Sequence, residues 1–313
     1  MSKAVFHLTL VKDACVPISE DQTILAAALE AGVPLMHVCG GKAKCSTCRV
    51  LIVEGEENLL PATEKEQKLS RLASLPSKVR LACQTCVKGP VTIRRIMQDE
   101  SDVGLYVRED SGFIEETGEE KELVLFFLDI RNFTNFVENH LAFDVIHIIR
   151  KLFAAFEKII ETNGGRIIET TGDGLYAVFD CRAGRVAAAH NGLQSAYSIF
   201  SDLKGLNENY FEKYFDQKLQ VGIGLHIGNV VSGTIVIGGM PHNVVMGFPV
   251  NVTARLESAT KELNNSLIVS EEVHKLLIIP EKASVSQRIH VKGVTGELNV
   301  FLMGEKLETN HVK

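Results

Sequence analysis

Four cysteines, Cys39, Cys45, Cys48 and Cys83, stand in the spacing C-x5-C-x2-C-x34-C. That spacing constrains the first third of the chain more than any other feature. The run Cys39-Gly-Gly-Lys-Ala-Lys-Cys45-Ser-Thr-Cys48 can supply three thiolates from one tight loop, and Arg80-Leu-Ala-Cys83-Gln can close the cage from a distant strand. A [2Fe-2S] cluster asks for that division of four thiolates. Glycines and small residues between the first ligands let backbone N–H groups turn inward and hydrogen-bond the sulfurs. The alternatives are a zinc site or reduced thiols that merely pack. Zinc knuckles usually pair two short C-x2-C steps, whereas one short step and one long closure stand here. The pattern predicts the cluster.

These residues resemble the [2Fe-2S] ferredoxins, and among them the adrenodoxin-like branch. Plant-type ferredoxins have C-x4-C-x2-C, and the extra residue here points to the other branch. The resemblance covers about residues 1–98, including the amphipathic stretch Gln22 to Ala31 that leads into the loop. It implies a β-grasp domain with one [2Fe-2S] cluster on Cys39, Cys45, Cys48 and Cys83. Cys86 has no counterpart in the pattern and reads as a buried thiol, with a nearby redox partner as the alternative. Cys15 and Cys181 read as ordinary reduced core cysteines.

A chain of 313 residues has room for two domains, each with its own core. No apolar run approaches the roughly 20 residues of a membrane span, and the opening Met-Ser-Lys-Ala-Val lacks a signal-peptide hydrophobic region. The expectation is a cytoplasmic protein with no membrane and no nucleic-acid partner. Seven cysteines in a reducing compartment then mean metal ligation and free thiols rather than disulfides. Charge is divided unevenly. Residues 1–98 hold thirteen Lys/Arg against nine Asp/Glu, about +4, while the whole chain is −6. Most of the remaining negative charge falls in Asp99 to Glu122, which has few apolar residues and no clear period. Residues 99–121 are therefore read as an acidic linker with a short helix. Mobile ferredoxins of the resembled family are typically acidic where they dock basic reductases. The basic character here, Lys42 and Lys44 included, argues against a roaming electron carrier.

Residues 122–313 form the second expected domain. Leu123 to Leu128 is a continuous apolar run, which predicts a buried strand, and it ends in Asp129-Ile-Arg-Asn-Phe-Thr134. A helix from about Asp144 to Glu161 places Val145, Ile149, Leu152, Phe153, Phe156 and Ile160 on one face. Arg166 to Glu169, the turn Thr171-Gly-Asp-Gly174 and Leu175 to Phe179 predict a hairpin with Asp173 at its tip. Further on come a helix near Ala183 to Leu203, strands near Leu219 to His226 and Val230 to Ile237, and a helix opened by Pro249. Helices over a mostly antiparallel sheet give an α+β domain. Two aspartates, one ending a strand and one on a hairpin tip, can converge on two divalent cations, which suits in-line displacement at phosphorus. Asn251 and Arg255, four apart, share a helix face and can orient a ribose and stabilise charge growing on a phosphate.

Taken together these stretches resemble the class III nucleotidyl cyclases. Phe127-Leu-Asp129-Ile-Arg-Asn-Phe-Thr134, Arg166-Ile-Ile-Glu-Thr-Thr-Gly-Asp173-Gly, Gly222-Ile-Gly-Leu-His-Ile-Gly228 and Gly247-Phe-Pro-Val-Asn251-Val-Thr-Ala-Arg255-Leu-Glu-Ser258 fall in the family's order, over about residues 122–303. The resemblance implies a ferredoxin-like, palm-type catalytic fold. It implies two Mg2+ or Mn2+ ions on Asp129, Asp173 and the carbonyl of Ile130. Asn251 and Arg255 then position the ribose and stabilise the transition state, Lys292 grips the terminal phosphates, and the turn Asn132, Phe133, Thr134 cradles phosphate. Because this family builds its site between subunits, it also implies a head-to-tail homodimer. The reaction implied is attack of the ribose 3'-oxygen on the α-phosphate of ATP or GTP, giving a 3',5'-cyclic nucleotide and pyrophosphate.

Base choice departs from the family's commonest pattern. Adenylate cyclases usually have Lys where Glu169 stands, and Asp or Thr where Val244 stands. Guanylate cyclases carry Glu at the first place, where it accepts from guanine N1–H and the N2 amino group. Val244 cannot reach guanine O6 with a hydrogen bond. ATP and GTP both remain open, with a pyrimidine nucleotide behind them. Three functional readings follow. The first is a cyclase whose cluster senses redox state, in exchange with a redox partner. The second is an iron-sulfur electron-transfer protein with a non-catalytic cyclase-like dimerisation domain. In the third the cluster is purely structural.

Overall fold

The structure is a computed structural model and describes residues 4–97, 107–108, 112–113, 118–237, 240–278 and 284–307. The chain divides into two compact units, Met1–Thr117 and Gly118–Lys313.

In the smaller unit, strands β1 (Val5–Leu10), β2 (Ala14–Ser19), β3 (Arg49–Glu54), β4 (Val79–Leu81) and β5 (Val91–Arg95) form a sheet in the order β2-β1-β5-β3-β4. β1 runs parallel to β5 at its centre, and the other pairings are antiparallel. Helix α1 (Ile24–Glu30) opens where the Thr23 side chain accepts from the Ala26 N–H and buries Ile24, Leu25, Ala27 and Ala28. These apolar residues join Leu8, Leu10, Ile18, Val50, Ile52 and Ile93 in one core. The result is the expected β-grasp. Helix α2 (Glu64–Leu72), capped in the same way by Thr63, buries one residue, Glu66. Cys15 corrects an expectation: it is exposed, because the burial of β2 alternates and Val16 and Ile18 take the inward positions. Short strands β6 (Val107–Arg108) and β7 (Gly112–Phe113) pair antiparallel. The short helix expected in the acidic stretch, and Glu115-Glu116 with it, lie outside the described residues.

The larger unit holds β8 (Glu119–Ile130), β9 (Gly165–Thr171), β10 (Gly174–Asp180), β11 (Val221–Ile237), β12 (Met240–Met246), β13 (Leu267–Ser270), β14 (Val285–His290) and β15 (Glu297–Leu302). Their order is β14-β15-β13-β11-β8-β10-β9, with β12 paired to β11 beyond this path. Among the described residues, β11 and β13 are the one parallel pair along this path. Helices α3 (Phe133–Asn139) and α4 (Ala142–Thr162) follow β8. Helices α5 (Arg185–Leu206) and α6 (Glu212–Phe215) follow β10, α7 (Phe248–Glu262) follows β12, and α8 (Glu271–His274) follows β13.

β8 is central, which explains its unbroken apolar run. Val124, Phe126, Leu128 and Ile130 join a core with residues of α4 and α5, while Leu123 and Leu125 pack with Tyr176, Val178, Val230 and Val245. On α4 the buried stripe is Val145, Ile148, Leu152, Phe156 and Ile160. Ile148 takes the fully buried place expected for Ile149, and Ile149 and Phe153 pack at the margin. The two strands expected near Leu219–His226 and Val230–Ile237 are one. Gly228 and Asn229 pair with Leu123 and Glu122 without a turn, and Gly228 is needed because a Cβ there would strike Pro249. Cys181 is half-buried at the edge of the main core, and burial pushes its thiol up to about 11.

Candidate functional site

In the smaller unit the cluster loop leaves regular structure after α1. Gly40 (φ 62°), Gly41 (φ 77°) and Ala43 (φ 53°) take left-handed backbone. This winding brings N–H groups of Lys42, Lys44 and Cys45 onto the Cys39 sulfur and that of Ala43 onto Cys83. The sulfurs lie as two hydrogen-bonded pairs, Cys39 with Cys45 and Cys48 with Cys83. Cys48 and Cys83 are buried, and Cys39 and Cys45 are half-buried. The bond from Cys48 and the N–H donors pull the Cys83 thiol down to about 6, against burial, and the same bond pushes Cys48 up. Burial raises Cys39, but the donors of Lys44, Cys45 and Lys42 outweigh it and the net direction is down. Sulfurs gathered in pairs, with backbone amides already directed at Cys39 and Cys83, fit a binuclear centre with two thiolates on each iron. Cys86 differs. Burial first and then the charge of Asp21 raise its thiol, so it is poorly suited to redox chemistry.

Sequence reasoning missed the support beneath Cys83. Glu66 is 1% exposed and holds Arg80 with two hydrogen bonds, Nε to Oε1 at 2.8 Å and Nη2 to Oε2 at 3.0 Å. It also accepts from the Leu81 N–H at 2.8 Å. Glu66 thus fixes β4, the strand that delivers the fourth cysteine. The Gln84 side chain donates to the Gly41 carbonyl at 3.2 Å and to the Cys83 sulfur at 3.6 Å, joining closing strand to loop.

In the larger unit β8 and β10 are antiparallel neighbours, with Asp129 opposite Gly174. The Ile130 N–H donates to the Asp173 carbonyl at 3.2 Å. The two carboxyl groups meet in a hydrogen bond. Burial first, then the charges of Glu257 and Asp173, push the Asp129 carboxyl up to about 6 against the pull of Arg131. Two carboxylates crowded together repel until a cation or a proton joins them, so the donor set suits a divalent cation. Ile130 is buried at the end of β8. Asn132, at φ 55°, begins α3, whose first amides, Phe133 and Thr134 among them, precede any intrahelical bond.

The other predicted residues stand elsewhere. Glu169 is exposed on β9, opposite Tyr176, and Val244 is half-buried on β12, opposite Gly233. β12 also meets β9. Lys292 is exposed in the loop between β14 and β15. Asn251 and Arg255 are exposed on α7, whose Val252, Thr253, Leu256, Ala259 and Thr260 face inward. Among the described residues no hydrogen bond or ion pair links Asn251 or Arg255 to either aspartate. The chain brings Asp129 and Asp173 together and leaves Asn251 and Arg255 exposed on α7, with no bond to either aspartate among the described residues. A cleft of about 810 Å³, lined by Tyr197, Lys204, Asn207, Gln220 and Lys306 among others, includes none of these residues.

Two further site residues escaped the sequence. Arg131, with a side chain 7% exposed, donates through Nη2 to Asp129 Oδ2 at 3.2 Å, to the Asp129 carbonyl at 3.3 Å and to Glu257 Oε1. The only signal was the adjacency of Arg131 to Asp129 and of Glu257 to Arg255, and nothing in a linear pattern pairs residues 126 apart.

The family described as the adenylate and guanylate cyclase catalytic domain matches residues 116–305, and the 2Fe-2S iron-sulfur cluster binding domain matches residues 10–88. An adenylate cyclase of Anabaena cylindrica is 28% identical over 186 residues, 58% of this chain and 36% of that protein. This chain thus spans about a third of that relative's length. A 2Fe-2S ferredoxin of Aquifex aeolicus is 37% identical over 71 residues, 22% of this chain and 74% of that protein. Among solved structures, the adenylyl cyclase CyaB of P. aeruginosa superposes with a TM-score of 0.54 at 21% identity, covering 61% of this chain and 97% of that one. That likeness speaks to the fold.

Proposed function

The chain belongs to the adenylate and guanylate cyclase catalytic-domain family and, in its smaller unit, to the 2Fe-2S ferredoxins; on that premise we propose that it converts ATP or GTP into a 3',5'-cyclic purine nucleotide and pyrophosphate, in the cytoplasm, as a head-to-tail homodimer controlled by the redox state of its cluster. The observation that carries the reading is the meeting of Asp129 and Asp173 at the ends of paired strands, while Asn251 and Arg255 of the same chain turn outward.

Asp129, Asp173 and the Ile130 carbonyl would hold two Mg2+ or Mn2+ ions. Bound there, the ions would lower the pKa of the ribose 3'-hydroxyl and neutralise the leaving pyrophosphate. The chain's own residues then divide the remaining work. The amides opening α3 at Asn132, Phe133 and Thr134 suit phosphate oxygens. Lys292 supplies a point charge for the terminal phosphates. Asn251 orients the ribose, and Arg255 meets the charge that builds on the α-phosphate. In the proposed dimer a partner chain supplies these last two, which stand exposed on a chain's own α7 with no bond to its aspartates among the described residues. The exposed apolar side chains of the β11–β12 arm and its exit support such a partner: Ile237 is 58%, Met240 65%, Met246 54% and Phe248 57% exposed. Glu169 can accept from guanine N1–H and its amino group, whereas Val244 offers O6 nothing, so both purines stay within the proposal.

Cys39 and Cys45 would hold one iron and Cys48 and Cys83 the other, as their pairing in the loop supports. Bound there, the cluster would supply a one-electron redox step that changes local charge by one unit. The test is anaerobic protein given ATP, GTP, CTP and UTP separately with Mn2+ or Mg2+. A cyclic purine nucleotide is expected, lowered about a hundredfold or more in Asp173→Ala. No cyclic nucleotide from any of the four would overturn the reading.

A further inference from the structure

We propose that Arg131 and Glu257 form a strut that ties the metal half of one catalytic centre to the Asn/Arg half of the other centre in the dimer. The inference rests on the head-to-tail reading above. In that arrangement the aspartates of a chain serve one centre and its α7 serves the second, so any rigid link between β8 and α7 within a chain is a link between centres.

The geometry of the link is specific. Arg131 follows Asp129 by two positions on β8's exit, and its own N–H is anchored to the Gln220 carbonyl at 2.8 Å. Its guanidinium is buried, and Nε has no hydrogen-bond partner among the described residues. Nη2 is shared between Asp129 and Glu257, the Glu257 contact being the closer. Glu257 stands two residues after Arg255 on α7, its side chain 12% exposed. α7 therefore points Glu257 inward at the metal strand and Asn251 and Arg255 outward. The helix is seated without slack, because Cβ atoms at Gly222 and Gly224 of β11 would strike Thr260 and Arg131, and Glu257 and Thr253. A displacement of Glu257 must then move the backbone that carries Arg255. A cation arriving at Asp129 competes with Nη2 for the carboxylate, and the guanidinium can yield Asp129 while keeping Glu257. Loading one centre thereby shifts the grip on the helix that completes the other. Arg131 and Glu257 act through their neighbours and are positioning residues.

Mixed dimers test this. Homodimers of Arg255→Ala and of Asp173→Ala are each expected to lose about a hundredfold or more in activity, and mixing them should create one complete centre, with aspartates from the first chain and Asn251 and Arg255 from the second. Restored activity establishes the two-chain centre. Glu257→Gln is then placed on one chain or the other. On the Asp173→Ala chain it is expected to lower kcat about tenfold with little change in nucleotide KM. On the Arg255→Ala chain it is expected to raise the Mn2+ requirement several-fold. The same weakening should appear in Mn2+ binding followed by electron paramagnetic resonance on Arg255→Ala, Glu257→Gln chains without nucleotide. If Glu257→Gln fails to melt cooperatively, Arg131→Lys, which keeps the charge but loses the planar fork, replaces it with the same pair of effects expected. An effect from one placement alone, or from neither, overturns the strut while the dimer stands. Failure of the unmodified mixture to regain activity overturns the head-to-tail reading and the strut with it.

Discussion

Asp129 is the residue whose chemistry is most exposed to test. Its carboxyl is pushed up to about 6 by burial and by the charges of Glu257 and Asp173, while in an unfolded chain it sits near the usual aspartate value of about 3.9. The folded form therefore holds a proton that the unfolded form has lost across that interval. Stability from this source is fully present below the unfolded value and is lost as pH rises through about 6. In metal-free protein the Tm of Asp129→Asn minus that of the parent should grow from pH 4 to pH 7, because the amide carries no charge to bury. A difference that stays flat or shrinks over that range contradicts the carboxylate crowding. Adding Mn2+ at pH 7 should raise the parent's Tm and leave the variant's almost unchanged.

At the scale of elements, the pairing of β11 with α7 organises the larger unit. Gly224 lies under the helix, where a Cβ would strike the Glu257 amide nitrogen and the Thr253 carbonyl oxygen. Backbone cannot rotate aside as a side chain can, so Gly224→Ala should destabilise by about 1–3 kcal/mol, read as a lower midpoint in urea. An unchanged midpoint would mean that the helix can lift from the strand. These elements also mark how far the sequence could be read. The apolar run of Leu123 to Leu128, the hairpin around Asp173 and the Pro249 helix start were legible because each carries a local signature of period or turn chemistry. The break expected between His226 and Val230 is absent, because a glycine at 228 that admits Pro249 looks in sequence like one that permits a turn. Ile148 and Ile149 were confused because adjacent apolar residues on a helix differ by a rotation that only the packed sheet decides. Glu66, Arg131 and Glu257 were invisible for a different reason. Glu66 meets Arg80 14 positions away and Arg131 meets Glu257 126 positions away, and charge pairs of that kind leave no period.

At the scale of the molecule, one chain carries a four-cysteine site in its smaller unit and a cyclase-family catalytic unit in its larger one. Residues 1–98 carry about +4 against about −10 for the remainder, so under the proposed redox control one added electron would act through a short-range electrostatic balance. Among the described residues no helix is long and apolar enough to cross a membrane. The account's central claim, cyclisation of a purine nucleotide under redox control, is tested most directly by one measurement on one anaerobic sample. Cyclic nucleotide formation from ATP and from GTP is followed with the cluster oxidised, after reduction by dithionite, and in Cys83→Ser. The account predicts a cyclic purine nucleotide whose rate differs at least about threefold between the oxidised and reduced forms, with that difference abolished in Cys83→Ser. Equal rates in all three states, or no cyclic product in any of them, would contradict it.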